Sequence, residues 1–93
     1  MIYIDRAINP WRGKKWCHLV ADSLPELHDF AIKMGLKRSW FQDHKIQPHY
    51  DVCEKLRLKA IDLGAKELST QDMALRVREL LKERAKNNVL SDR

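Results

Sequence analysis

A seven-residue pattern that occurs twice places the strongest constraint on the fold. Ala31-Ile32-Lys33-Met34-Gly35-Leu36-Lys37 and Ala60-Ile61-Asp62-Leu63-Gly64-Ala65-Lys66 each read as the end of a helix, a glycine and the start of a strand. Glycine there takes the left-handed conformation that closes a helix, and the chain leaves in extended form. Junctions of this kind suit helices laid on a largely parallel sheet, which makes the expected class α/β.

The start signals agree. Ser23 and Glu26 have capping-box spacing, Pro25 is tolerated in a first turn, and Gly35 closes the segment. Leu27, Phe30, Ala31 and Met34 form one apolar face opposite Glu26, Asp29 and Lys33. A second helix is expected from an Asp51 cap with Glu54, with Val52, Cys53, Leu56, Ala60 and Leu63 inward, up to Gly64. A third opens at Ser69 or Thr70 and buries Met73, Ala74, Val77, Leu80 and Leu81. It turns polar toward Lys86, and residues 87–93 read as a frayed tail. Strands are expected at 1–4, 17–21, 37–41 and 65–68. The architecture is then a small open, largely parallel sheet of about four strands with three helices, in the order β-β-α-β-α-β-α. No crossover helix separates the first two strands, so the second also fits an antiparallel hairpin with a long loop.

The chain has 93 residues, enough for one domain that buries roughly 60–65% of its unfolded surface. Hydrophobic residues make up 44% and charged residues 33%, which is globular usage and argues against disorder. Cys17 and Cys53 lie in apolar stretches without CxxC spacing and read as reduced core thiols. No run is long and apolar enough for a membrane span, and the first residues lack signal-peptide order, so a cytoplasmic protein with no membrane partner is expected. Eighteen Lys and Arg against thirteen Asp and Glu favour partners that carry phosphate. A GxSxG elbow, a P-loop and a GxGxxG turn are all absent from the sequence, which sets aside the enzyme classes built on them.

Open parallel sheets bind ligands beyond the carboxyl ends of their strands. Asp5 closes the first strand, Asp22 the second, Gln42 follows the third, and His49, Tyr50 and Asp51 lead into the second helix. His28 projects away from the polar stripe of its helix and so faces the protein. Asp5, His28, His49 and Asp51 are therefore the candidate catalytic pocket, and carboxylate with imidazole suits a divalent metal ion, with its ligands unassigned. Structural readings stand beside these: Asp51 as a helix cap, Asp22 complementing a helix dipole, His28 as a hydrogen-bonded core histidine. If the second strand runs antiparallel, His18 rather than Asp22 lies near Asp5.

A second constellation is Pro10-Trp11-Arg12-Gly13-Lys14-Lys15-Trp16, a basic segment between two tryptophans. Its cations suit phosphates, its indoles suit bases, and Gly13 admits a close backbone approach. The alternative is that Trp11 and Trp16 cover the edge of the core while the cations stay solvated. Arg38 and Trp40 repeat the mixture and would share one face of a third strand. Arg57 and the other charges of the later helices read as solvated faces with Glu partners.

The pieces Met1-Ile2-Tyr3-Ile4-Asp5, Trp11-Arg12-Gly13, Trp16-Cys17-His18-Leu19, Ala21-Asp22-Ser23, Glu26-Leu27-His28, Trp40-Phe41-Gln42 and Pro48-His49-Tyr50-Asp51 together resemble a family of small bacterial and phage proteins catalogued as a domain of unknown function, DUF4031. The resemblance spans residues 1 to about 68. It implies a bacterial or phage origin and carries over no activity.

The leading expectation is a phosphate-ligand protein. Nucleic acid or a nucleotide is held by Arg12, Lys14, Lys15 and Arg38 with stacking on Trp11, Trp16 and Trp40, beside the His and Asp pocket, with metal-dependent phosphodiester cleavage as its catalytic form. The alternative is a small protein-interaction module, such as an inhibitor of a host factor, whose tryptophans and arginines are interface anchors.

Overall fold

A computed structural model of the chain describes residues 1–91. The elements are β1 (Ile2–Ile4), β2 (Asn9–Trp11), β3 (Lys14–Ala21), α1 (Leu24–Lys33), a 3₁₀ turn (Arg38–Trp40), β4 (Phe41–Gln42), β5 (His49–Cys53), α2 (Glu54–Asp62), β6 (Lys66–Glu67) and α3 (Thr70–Ser91). The class is α/β with three helices, as the sequence indicates.

The sheet has six strands in the order β4-β5-β3-β1-β6, with β2 paired to β3. Among the described residues only β1 and β6 run parallel; the pairs β1·β3, β2·β3, β3·β5 and β4·β5 are antiparallel. The expectation of a largely parallel sheet of about four strands is thus overturned. Residues 5–13, between β1 and β3, contain no crossover helix, so the chain reverses through the β2 hairpin arm and β3 returns beside β1. Both helices close at their glycine as read: Leu36 N–H donates to Ala31 O and Ala65 N–H to Ala60 O, and both glycines have positive φ. Only the second leads straight into a strand. After the first, Leu36 is buried and residues 38–40 wind into the 3₁₀ turn, so that of the expected strand at 37–41 only Phe41 is in β4 (Phe41–Gln42).

Strand alternation sorts the core onto two faces. Ile2, Ile4, Cys17, Leu19, Ala21, Tyr50 and Val52 pack with Leu27, Phe30, Ala31 and Ala60 of α1 and α2. Tyr3 and Val20 point the other way and meet Met73, Val77 and Leu80 of α3.

The caps explain two helix starts and correct a third. Ser23 Oγ accepts from Glu26 N–H, and Ser69 Oγ from Asp72 N–H. Asp51 caps nothing: β5 continues through Cys53, which is the N-cap of α2. The reason is pairing, since Asp51 sits opposite His18 and Cys53 opposite Trp16 on β3. α3 continues through 87–91, where the sequence placed a frayed tail, and the last residues of that tail, 92 and 93, lie outside the described residues. No helix among the described residues is long and apolar enough to cross a membrane.

Candidate functional site

The alternation that sends Ile4, Leu19, Tyr50 and Val52 to α1 and α2 sends Asp5, His18, His49 and Asp51 to the opposite face. Asp5 N–H donates to His18 O, extending the β1·β3 ladder by one step. The register pairs His18 with Asp51, and His49 lies two residues before Asp51 on the same side of β5. Strands therefore carry His18, His49 and Asp51, and Asp5 directly follows β1, which holds the four more firmly than a loop would.

Asp5 is 6% exposed and fully engaged. Its Oδ1 accepts the His18 backbone N–H at 2.7 Å, and its Oδ2 lies 2.8 Å from His18 Nδ1. This bond raises the His18 pKa above its ordinary value; burial opposes the rise, and the charges of Asp5 and Asp51 support it. His49 Nδ1 lies 2.8 Å from Gln47 O, and its Nε2 is 3.4 Å from Asp51 Oδ1. The rings of His18 and His49 meet edge to face, with centroids 5.2 Å apart.

Each histidine thus has its Nδ1 occupied by an acceptor, a carboxylate for His18 and a backbone carbonyl for His49. In the neutral ring that places the proton on Nδ1 and leaves Nε2 able to ligate. His18, His49 and Asp51 offer ligand atoms that all lie within 4.8 Å of one another. Two imidazoles and one carboxylate, with room for further ligands, suit zinc, manganese or ferrous iron.

A cavity of about 290 Å³ opens between the two histidines, His18 and His49, and α3, with Val20, Met73 and Val77 as its apolar wall and His44 in its lining. His44, in the loop between β4 and β5, has its Nδ1 taken by the Ile46 N–H, and its ring lies 6.3 Å from that of His49. Sequence reasoning passed over His44, because no periodic pattern marks a loop residue. It also read Arg57 as solvated. Arg57 is 19% exposed instead, its Nε–H donating to Asp5 O at 2.7 Å and its Nη2 meeting Glu67 at 3.1 Å. It braces the end of β1 from α2.

The tryptophan-bracketed segment forms the β2·β3 hairpin. Trp11 pairs with Lys14 across a two-residue turn in which Arg12 (φ 50°) and Gly13 (φ 73°) both have positive φ. Gly13 is therefore explained by the turn. Trp16 Nε1–H donates to Trp11 O at 2.9 Å, the two indoles meet edge on at 5.6 Å, and the Arg12 guanidinium stands 4.5 Å from the Trp11 ring. Trp11, Trp16, His18 and Asp51 line one recess, so the hairpin walls His18 and Asp51 of the triad.

Other sequence candidates lie elsewhere. His28 is on the far face, its Nδ1 2.9 Å from Tyr50 Oη and its ring 4.7 Å from Phe41; burial and the Arg38 charge lower its pKa. Tyr50 points to that same face because it alternates with His49 and Asp51. Burial raises the Tyr50 hydroxyl pKa. Asp22 lies at the opposite end of β1, accepting from Arg76 Nη2 at 2.6 Å and from the Tyr3 hydroxyl at 2.9 Å. Lys15 alternates away from Lys14 and lines a separate cavity with Arg6 and Arg57. Arg38 stands 4.9 Å from the Phe41 ring, and the 3₁₀ turn ends the expected sharing of a strand face with Trp40. Gln42 pairs with His49 in the β4·β5 ladder and, with Trp40, borders a cleft that also reaches Asp51. Cys17 is buried and donates to Val52 O; burial pushes its thiol up to about 12, which leaves it unreactive.

The model of a family described as a protein of unknown function, DUF4031, matches residues 2–80. No curated protein and no solved structure matches the chain.

Proposed function

Because the chain belongs to the DUF4031 family, whose description assigns no activity, we propose from the site itself that the protein binds a divalent metal ion at His18, His49 and Asp51 and acts there on a phosphate ligand, nucleic acid or nucleotide. The observation that carries the reading is the state of the two imidazoles. Both have Nδ1 committed to an acceptor, Asp5 and Gln47 O, so that each neutral ring turns Nε2 to a ligand, that of His49 lying 3.4 Å from Asp51 Oδ1.

Electrostatics support a cation. Asp51 alone would repel a phosphate, yet Lys14 and the Arg12-capped Trp11 line recesses that include it. A metal ion held by Asp51 turns that repulsion into attraction. When bound, the ion polarises a phosphoryl oxygen and lowers the pKa of a coordinated water, the requirements of phosphodiester hydrolysis. The chain's own groups then have separable tasks. Asp5 holds His18 in the metal-binding tautomer, and Lys14 and Arg12 neutralise phosphate oxygens. His44, with Nδ1 accepting from Ile46, carries its hydrogen on Nε2. It is suited to hydrogen-bond an anionic oxygen.

Calorimetric titration of the purified protein with Mn²⁺ and Zn²⁺, together with cleavage of a fluorescent oligonucleotide with and without EDTA, tests this reading. One ion per chain is expected, its affinity lowered at least tenfold in His18→Ala and His49→Ala, and cleavage is expected only with metal. No metal binding by the wild type, or equal binding by the His49→Ala variant, overturns it.

A further inference from the structure

We infer that the cleft bounded by Trp11, Trp16 and Trp40 seats one unpaired nucleobase, so that the phosphate ligand is a single strand or a free nucleotide and not a duplex. The inference rests on the phosphate-ligand reading above and narrows its substrate class.

The cleft encloses about 600 Å³, within the range of small-ligand sites, and is lined by the three tryptophans together with Lys14, Gln42 and Asp51. Its first wall is stiff. The two-residue turn fixes the hairpin, and Trp16 is tied to Trp11 by the Nε1–H bond to Trp11 O and by the edge contact between their rings. The second wall is Trp40, presented by the 3₁₀ turn at Arg38–Trp40. Trp11 is 58% exposed and Trp40 47%, so broad indole surface remains uncovered on both walls.

Three observations favour a base over an apolar peptide. Cations stand at the aromatic walls: the Arg12 guanidinium is 4.5 Å from the Trp11 ring, and Lys37 Nζ is 5.8 Å from the Trp40 ring. With Lys14 in the lining they match an aromatic group that carries phosphate. Gln42, on the short edge strand β4, offers an amide with both a donor and an acceptor, the complement that a base edge requires. Asp51 lines the cleft and also supplies the carboxylate of the metal triad, so a base in the cleft brings its own phosphate to the triad. In a duplex each base is stacked on both faces and paired along its edge, and none can enter.

Intrinsic tryptophan fluorescence of the metal-free protein in EDTA tests this, titrated with a short oligothymidylate, thymidine monophosphate, an abasic strand of equal length, a fully paired duplex and a proline-rich peptide. Saturable quenching by the oligothymidylate is expected. Trp40→Ala should lower its affinity roughly tenfold, with an unchanged circular dichroism spectrum because Trp40 is exposed. Thymidine monophosphate binding as tightly as the strand assigns the site to free nucleotides, and weaker binding assigns it to strands; both support the inference. Abasic strand or duplex bound as tightly as the oligothymidylate, tighter binding of the peptide, or no quenching overturns it. Since EDTA is present throughout, failure here leaves the metal titration standing, and failure of that titration leaves a base-binding cleft standing.

Discussion

Asp5 grips His18 at two points, its Oδ1 accepting the backbone N–H at 2.7 Å and its Oδ2 facing Nδ1 at 2.8 Å. The two bonds have different consequences when broken. In Asp5→Asn the remaining oxygen still accepts the backbone N–H, while the amide group donates to Nδ1. That drives the imidazole proton to Nε2, the atom a metal needs. Metal affinity should fall roughly 10–100-fold with a stability loss of about 1 kcal/mol. Asp5→Ala instead strands the partly buried His18 N–H and should cost about 1–3 kcal/mol. Calorimetric titration and urea denaturation read the two effects separately.

The histidines on the two faces should respond to pH with opposite signs in the metal-free protein. His18 has a raised pKa because of its bond to Asp5. Its stabilising contribution is complete below the unfolded value of 6.5 and is lost as pH rises through the higher folded value. His28 has a lowered pKa, through burial first and the Arg38 charge second. The unfolded chain then binds the extra proton, so wild type loses stability as pH falls from 6.5 through the lower folded value. Urea midpoints between about pH 5 and 8 check both signs. The advantage of wild type over His18→Gln should shrink as pH rises, and its advantage over His28→Asn should shrink as pH falls.

Asp22 should prove structural. It accepts from Arg76 and Tyr3 and pairs with the terminal amine at 3.5 Å, tying α3 to the first strand. Burial pushes its carboxyl pKa upward, yet the bonds from Arg76 and Tyr3 and the neighbouring positive charges together hold it below 3.8. The stability it lends is thus present above 3.8 and is lost as pH falls through the lower folded value. Asp22→Ala should lower stability at neutral pH by about 1–2 kcal/mol, since the cluster is partly exposed. Metal affinity should not move, because Asp22 lies at the far end of β1 from the triad. Thermal denaturation and calorimetric titration check the pair.

What the sequence made legible was local. The helix ends at Gly35 and Gly64, the Ser23 and Ser69 caps and the apolar face of α1 are each written within about seven neighbouring residues, and each formed. Strand direction and register are not local. Once β3 turned back along β1, His18 came to Asp5 and Asp22 moved to the other end of the strand. Once β5 extended through Cys53, the alternation that brought His49 and Asp51 together sent Tyr50 to the far face, where it meets His28. Of the four residues expected in one pocket, Asp5, His49 and Asp51 share a face and His28 does not. A histidine on the inward side of a helix and one on the inward side of a strand look alike until the sheet's two faces are known.

Arg12 offers a way to separate folding from binding. It sits at φ 50°, where residues other than glycine and asparagine are rare, and the Arg12-Gly13 pair forms a tight turn whose preferred sequence is Asn-Gly. Arginine has no conformational advantage there, and its guanidinium stands 4.5 Å from the Trp11 ring. Arg12→Asn should raise stability by up to about 1 kcal/mol while weakening nucleic-acid binding and reducing the salt slope of affinity by about 1. Gly13→Ala supplies the control. Nothing lies within 4 Å of an added Cβ, so the change brings strain at φ +73° without a clash, and should cost about 1 kcal/mol. The stability effects should thus have opposite signs on the two turn residues, and only the arginine change should alter the salt dependence. Chemical denaturation with binding measured across a salt series reads both. If Arg12→Asn left the salt slope unchanged, the hairpin cation would lie outside the phosphate contact.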